Sequence, residues 1–263
     1  MQVSIIGLGQ VGGETFKAIE LARVPGVTCV GIDIDGFTRK AYREEGYAVT
    51  EKAPASDVYI VAVYTTQQVF DVLRALDLAR KPLVSLESTL DPQEFPALRA
   101  WAKDTSTDLV TCPHRFNPND PPHHVFNLDR IIGGVTGQAL ERGTEFYAKY
   151  MAHKSLLHPY SFEVAALAKV AENAYRFMEI ALAQELKRMS DSAGIDFTEL
   201  RDAMNTKWNV KVLEARNGVG GKCLPKDMTL LAEFAKNKSL FELFLFLNEM
   251  YTAEQKEASV AKP

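Results

Sequence analysis

The feature that most constrains the fold stands at the start of the chain, in Ile5-Ile6-Gly7-Leu8-Gly9-Gln10-Val11-Gly12. Three glycines spaced G-x-G-x-x-G, directly after an apolar run and directly before a helical pattern, suit a chain that leaves a strand, turns sharply and enters a helix. The first glycine allows the turn, the second lets backbone approach a bound anion, and the third lets helix and strand pack closely. The helix start then faces a phosphate group.

The rest of the first half repeats that unit. Val3–Ile6, Val27–Ile32, Asp57–Val63, Leu83–Leu86 and Leu109–Thr111 are short apolar runs separated by helical patterns, the first helix running from about Gly12 to Ala22. Runs apolar on both faces predict a buried parallel sheet of βαβ units. Right-handed crossovers make this a doubly wound α/β domain of the Rossmann type. From Phe162 to Ser190 the pattern becomes one uninterrupted helix with neither Gly nor Pro inside. Further helices are expected over Asp196–Met204, Met228–Ala235 and Leu240–Ala258, with no β-branched runs between them. The expected architecture is therefore α/β, a nucleotide-binding domain over 1–158 followed by an all-helical domain over 159–263, entered through a long connecting helix.

Asp33 follows the glycine motif by about 20 residues, at the end of the second predicted strand, where a carboxylate hydrogen-bonds ribose hydroxyls and repels a 2′-phosphate. This predicts NAD rather than NADP. Arg39 and Lys40 lie near enough to bear on that choice, or are solvated residues of the next helix. The net charge of -4 comes from interspersed acids and bases, which leaves no one-sign field for nucleic acid or an anionic membrane. No apolar run approaches the ~20 residues of a membrane span, and no secretory signal pattern opens the chain, so a cytoplasmic location is expected. Cys29, Cys112 and Cys223 form no CxxC pair, against a disulfide framework or structural zinc.

Gly218-Val219-Gly220-Gly221-Lys222-Cys223-Leu224-Pro225-Lys226-Asp227 is the most informative segment for chemistry. A glycine-rich backbone presents a thiol on a loop, and Lys222, Lys226 and the next helix start can each favour its thiolate. Cys29, inside a strand, reads instead as a small buried hydrophobe. Lys169 and Asn173 stand at i and i+4 of the long helix, on one face, a cation and a neutral donor suited to a developing oxyanion. Two solvated polar residues would show the same spacing.

Taken together these segments resemble the UDP-glucose/GDP-mannose dehydrogenase family, nearer to its UDP-N-acetylmannosamine branch than to its glucose branch. The elements that carry the resemblance, in order, are the opening glycine motif, Glu87-Ser88-Thr89, Cys112-Pro113 with Arg115, Asp129-Arg130-Ile131-Ile132-Gly133-Gly134, Lys169 with Glu172-Asn173, and the run ending at Asp227. The resemblance implies an NAD-dependent, four-electron oxidation of a sugar-like or nucleotide-linked primary alcohol to a carboxylate. It makes Cys223 the nucleophile, has Lys169 and Asn173 stabilise the oxyanion, and gives Asp227 and Thr89 the handling of water. It places Gly7, Leu8, Gly9, Gln10, Val11, Gly12, Asp33, Tyr64, Thr65 and Thr89 around NAD, and Arg216, Gly220, Gly221 and Lys226 against the substrate.

Two departures accompany the resemblance. Where the family has a Glu after Cys-Pro, this chain has His114, followed by Phe116-Asn117-Pro118-Asn119-Asp120-Pro121-Pro122-His123-His124. With an ordinary pKa of about 6.5, His114 is a candidate general base. The spacing of His114, His123 and His124 fits no zinc pattern, and no metal is expected. The family's third, nucleotide-gripping domain has no counterpart within these 263 residues, so the substrate is expected to be smaller, or a partner to complete the grip. Phe241, Phe244 and Leu245 are either core or a face for such a partner. The apolar long helix predicts a homodimer. The competing readings are a two-electron enzyme like the β-hydroxyacid dehydrogenases, which needs no thiol, and a non-catalytic NAD-binding protein.

Overall fold

The computed structural model describes residues 1–115, 120 and 122–260, with backbone alone for 258–260. The chain divides into two compact units, Met1–Lys169 and Val170–Pro263.

The first unit begins with β1 (Gln2–Ile6), α1 (Gln10–Ala22), β2 (Thr28–Ile32), α2 (Gly36–Glu44) and β3 (Val49–Thr50). It continues through β4 (Val58–Val61), α3 (Thr66–Ala75), β5 (Leu83–Leu86), α4 (Phe95–Asp104) and β6 (Asp108–Thr111), and closes with β7 (Arg130–Gly134), α5 (Gly137–Tyr147) and β8 (Leu157–Ser161). The strand order is β3-β2-β1-β4-β5-β6-β7-β8. Neighbours pair in parallel except β6 and β7. Every residue of β4 and β5 is buried, because helices cover both faces. Val3, Ile5, Val58 and Ile60 enter the core on one face, whereas Ile6, Tyr59, Val61, Val84 and Leu86 enter the core on the other.

Three strands escape the sequence pattern. β3 has only two residues. β7 runs against β6, with Thr111 opposite Gly133, and so departs from the expected all-parallel sheet. Among the described residues between them there is no crossover helix, and a parallel neighbour requires a crossover. β8 contains Pro159, which a strand tolerates at a sheet edge, where it lies.

The long helix α6 runs Phe162–Ser192, followed by α7 (Phe197–Asn205), α8 (Cys223–Phe234) and α9 (Lys238–Val260). In the second unit Ala174, Phe177, Ile180, Ala181, Val219 and Met228 form one core. Each large side chain removed from water there contributes about 1.5–3 kcal/mol. Phe241, Phe244 and Leu245 are partly buried and pack against that core. α8 begins five residues before the expected Met228. Pro225 sits in its first turn, where a missing N–H costs nothing because no intrahelical acceptor exists for it. Among the described residues, no helix is long and apolar enough to cross a membrane.

Candidate functional site

In the first unit, the residues singled out from the sequence gather beyond the carboxyl ends of the parallel strands. Gly7 follows β1, Tyr64 and Thr65 follow β4, Thr89 follows β5 and His114 follows β6. Strand order reverses between β1 and β4, and a crevice opens at such a switch point. Gly7 has φ +91°, and a Cβ there would lie 2.6 Å from the Ala62 carbonyl oxygen. A Cβ on Gly12 would lie 1.9 Å from the Gly7 oxygen, so the turn admits only glycine at both positions. Gly9 by contrast faces open space. No side chain caps α1, and its first turn, from Gln10 through Val11, carries no acid. The unpaired amides of that turn are thus left to meet an anion, and the residues present fit a dinucleotide pyrophosphate.

Asp33 closes the turn from the other side. Its Oδ2 accepts from the Leu8 amide at 2.8 Å and its Oδ1 from the Asp35 amide at 2.8 Å. Arg39 donates to the Asp33 carbonyl at 2.7 Å and pairs with Glu51 at 3.0 Å, while Lys40 pairs with Glu44. Thr65 caps α3 in a capping box with Gln68, and Tyr64 is exposed. Ser88 Oγ accepts from the Val63 amide at 2.9 Å, tying the ends of β4 and β5 together just before Thr89.

His114 is buried. Burial, and then the charges of Arg130, Lys169 and His124, hold its imidazole well below the usual histidine value. The ordinary pKa expected from sequence is therefore not kept, because a cationic ring would be both desolvated and repelled. Of the segment after it, 116–119 and 121 lie outside the described residues. His123 meets Asp120 at 2.9 Å, His124 meets Glu14 of α1 at 3.1 Å, and Arg115 donates to the Asp129 carbonyl.

Sequence reasoning missed a buried polar knot beneath this edge. Glu87, 2% exposed, accepts from Arg130 at 2.9 Å, from the Thr15 hydroxyl at 2.6 Å and from the Tyr147 hydroxyl at 3.0 Å. Arg130 also donates to the Cys112 carbonyl at 2.6 Å. The Cys112 thiol is pushed up to about 12 by burial, and burial likewise raises Cys29, so both behave as apolar core groups. The available signal for the knot was the pairing of Glu87 with Arg130, a carboxylate and a guanidinium in otherwise apolar strand surroundings.

The second unit holds the other candidates. Cys223 is exposed and is the first residue of α8, a correction to its expected place on a loop. Asp227, one turn later, is 1% exposed, and its Oδ2 accepts from Asn173 Nδ2 of α6 at 2.6 Å. Lys226 Nζ lies 3.7 Å from Asp227 Oδ1. The preceding loop needs left-handed backbone at Gly218 (φ +100°) and Gly221 (φ +79°), and Gly220 faces open space. Asn248 of α9 pins this loop by accepting from the Val219 amide at 2.7 Å, a role with no signal in the sequence. Arg216, itself at φ +54°, lines a cavity of about 310 Å³ with Arg176, Arg201 and Asn205. Lys169 stands one turn before Asn173 along α6.

A doubly wound sheet with a glycine turn at its switch point, followed by a helical unit bearing Cys, Asp and Asn, defines a class of two-unit, dinucleotide-fold proteins. Within that class, residues 163–250 match the model of the UDP-glucose/GDP-mannose dehydrogenase family, central domain. It is 27% identical over 283 residues to a UDP-N-acetyl-D-mannosamine dehydrogenase of Methanocaldococcus jannaschii, covering 94% of this chain and 65% of that protein. An NDP-N-acetyl-D-galactosaminuronic acid dehydrogenase of Ralstonia solanacearum is 27% identical, covering 89% of this chain and 64% of that one. The chain thus spans about 65% of the length of the curated relatives it matches. Among solved structures, UDP-D-ManNAc dehydrogenase from Pyrococcus horikoshii superposes with a TM-score of 0.81 at 26% identity, covering 96% of this chain and 69% of that one.

Proposed function

We propose that this chain is an NAD-dependent dehydrogenase that oxidises the primary alcohol of a sugar or nucleotide sugar to a carboxylate, with Cys223 as the covalent nucleophile. The observation that carries the reading is the Asn173–Asp227 hydrogen bond of 2.6 Å, one helical turn from an exposed thiol. A neutral amide donor, a carboxylate and a thiol on facing and adjacent turns are the groups that thioester chemistry requires. The nucleotide-sugar dehydrogenases among its relatives support the substrate class.

NAD, when bound, supplies the two-electron acceptor, used twice, in the balance RCH2OH + 2 NAD+ + H2O → RCOO− + 2 NADH + 3 H+. Residues 1–158 are assigned its binding, with Gly9 and the α1 amides at the pyrophosphate and Asp33 at the ribose hydroxyls. Residues 159–263 are assigned the thiol chemistry. Cys223 sulfur bonds to the aldehyde carbon while the thiol proton passes to the carbonyl oxygen, giving a thiohemiacetal. Loss of the remaining carbon-bound hydrogen as hydride and of the hydroxyl proton to solvent leaves a thioester, and water then breaks the C–S bond and restores the thiol. Lys169 and Asn173 hold the negative oxygen that develops at each addition. Asp227 and Thr89 orient the water, and Arg216, Gly220, Gly221 and Lys226 contact the substrate. Tyr64 and Thr65 complete the cofactor crevice.

The protein acts as a homodimer in this reading. Tyr175, Leu182 and Met189, at 61%, 55% and 55% exposure, recur every seven residues on α6 and form the kind of apolar seam that helices bury against one another. Light scattering at micromolar concentration should return twice the chain mass, and a monomer would remove this element alone.

The deciding experiment is the yield of NADH per limiting substrate over a panel of nucleotide sugars and free sugars, for wild type and Cys223→Ser. Two NADH per substrate, falling to one or none in the variant, supports the thioester route. One NADH per substrate, indifferent to the thiol, refutes it in favour of a two-electron dehydrogenase.

A further inference from the structure

The Glu87–Arg130 pair is more deeply withdrawn than a sheet of this kind needs. A well-packed apolar pair of the same volume would hold the strands at least as well, since two buried charges lose their hydration before they gain each other. What an apolar pair would not do is join three particular segments. Thr15, which reaches Glu87 Oε2, belongs to the helix whose first turn forms the glycine site. Glu87 itself directly precedes Ser88 and Thr89, and its amide donates to the Val61 carbonyl at 2.8 Å. The Cys112 carbonyl held by Arg130 directly precedes Pro113 and His114, and the Cys112 amide donates to the Leu86 carbonyl at 2.9 Å.

The guanidinium has few other ties. It lies beside the Phe126 and Tyr147 rings, 5.7 and 5.3 Å from their centroids. Its Nε and Nη1 have no hydrogen-bond partner among the described residues, so Nη2 alone sets its position, between Glu87 and the Cys112 oxygen. Tyr147 spends its one proton on Glu87, so Ser85, 2.7 Å away, donates to the Tyr147 oxygen. Any displacement of α1 that moves Thr15 is passed to the carboxylate, from there to Nη2, and from Nη2 to the Cys112 carbonyl, two residues before His114.

We propose that Glu87 and Arg130 are positioning residues that couple cofactor occupancy at the start of α1 to the placement of Thr89 and His114. This rests on the assignment of the dinucleotide to Gly7–Gly12 made above. It differs from a stability role because the coupling runs through contacts that a folded protein can lose one at a time.

The test combines NADH fluorescence titration with the imidazole NMR signal of His114, assigned by its disappearance in His114→Gln. In the wild type, saturation with NADH should shift the His114 signal. Thr15→Val, which deletes the first contact and leaves Glu87 two donors, should raise the NADH Kd about 3- to 10-fold and shrink that shift by at least half. Thr15→Ser, which keeps the hydroxyl, should restore both. Ser85→Ala, which disturbs the knot only beyond Tyr147, should leave the Kd within about twofold of wild type. The double variant Glu87→Gln/Arg130→Met keeps the volume without a lone buried charge, and its His114 signal should not respond to NADH. A wild type that binds NADH with a stationary His114 signal, or a Thr15→Val protein indistinguishable from wild type, overturns the coupling while leaving the cofactor site intact. Failure of the wild type to bind NADH overturns the cofactor assignment and the coupling with it.

Discussion

Glu87 and Asp227 are withdrawn from solvent almost equally, at 2% and 1% exposure, yet they are held in opposite ways. Glu87 faces a full guanidinium charge and two hydroxyl donors inside a sheet. Asp227 takes its close hydrogen bond from a neutral amide, has a lysine nitrogen at 3.7 Å, and lies one turn from an exposed thiol. A carboxylate locked to an arginine is committed to holding its neighbours in place. Asp227 instead ties α8 to α6 through an amide, with its lysine charge at the longer distance. The same contrast separates the cysteines, with Cys112 sealed beside the first carboxylate and Cys223 open beside the second.

The comparison breaks most violently at Arg130. Arg130→Met leaves Glu87 buried without its counter-charge and should cost about 3–5 kcal/mol of unfolding free energy, whereas the double variant Glu87→Gln/Arg130→Met should recover most of that loss. Urea denaturation of both proteins measures the difference. Equal losses in the single and the double variant would mean that the pair matters through packing rather than charge.

The second carboxylate should respond the other way, with a smaller change in stability and a larger one in rate. Asn173→Ala removes one hydrogen bond to Asp227 and should cost about 1–3 kcal/mol. Under the proposed chemistry it also removes an oxyanion donor, so kcat should fall about 100-fold or more. A variant that loses stability but retains wild-type kcat would place the Asn173–Asp227 contact with Glu87 as a structural tie.

Much of this contrast could be read before the structure, though unevenly. Glycine spacing and apolar strands announced the nucleotide fold, because steric limits on backbone act locally and leave a mark in sequence. The Lys169/Asn173 spacing was legible for the same reason, since i and i+4 share a helix face and both residues lie on α6. The antiparallel β7 and the edge strand with Pro159 were not, because their partners are chosen by tertiary pairing that short segments do not encode. Nor was the Glu87 knot: Thr15, Glu87, Arg130 and Tyr147 are distant in sequence and meet only after the sheet forms. The start of α8 was misplaced because Pro225 reads as a breaker unless one knows it occupies a first turn.

His114 offers the finest test, since it sits at the boundary between locked and available groups. Its imidazole is held well below the ordinary value by burial and then by the charges of Arg130, Lys169 and His124. In the unfolded chain it regains a pKa of about 6.5. Below that pH the unfolded state takes up a proton that the folded state refuses, so stability falls as the solution is acidified and levels off only beneath the folded pKa. The slope attributable to this one group approaches about 1.4 kcal/mol per pH unit. His114→Gln should flatten the difference in unfolding free energy between pH 7 and pH 5, measured by urea denaturation, by about 2 kcal/mol. An unchanged pH dependence would show that the ring accepts a proton in the folded protein as readily as in the unfolded chain. His114 would then be available for proton transfer.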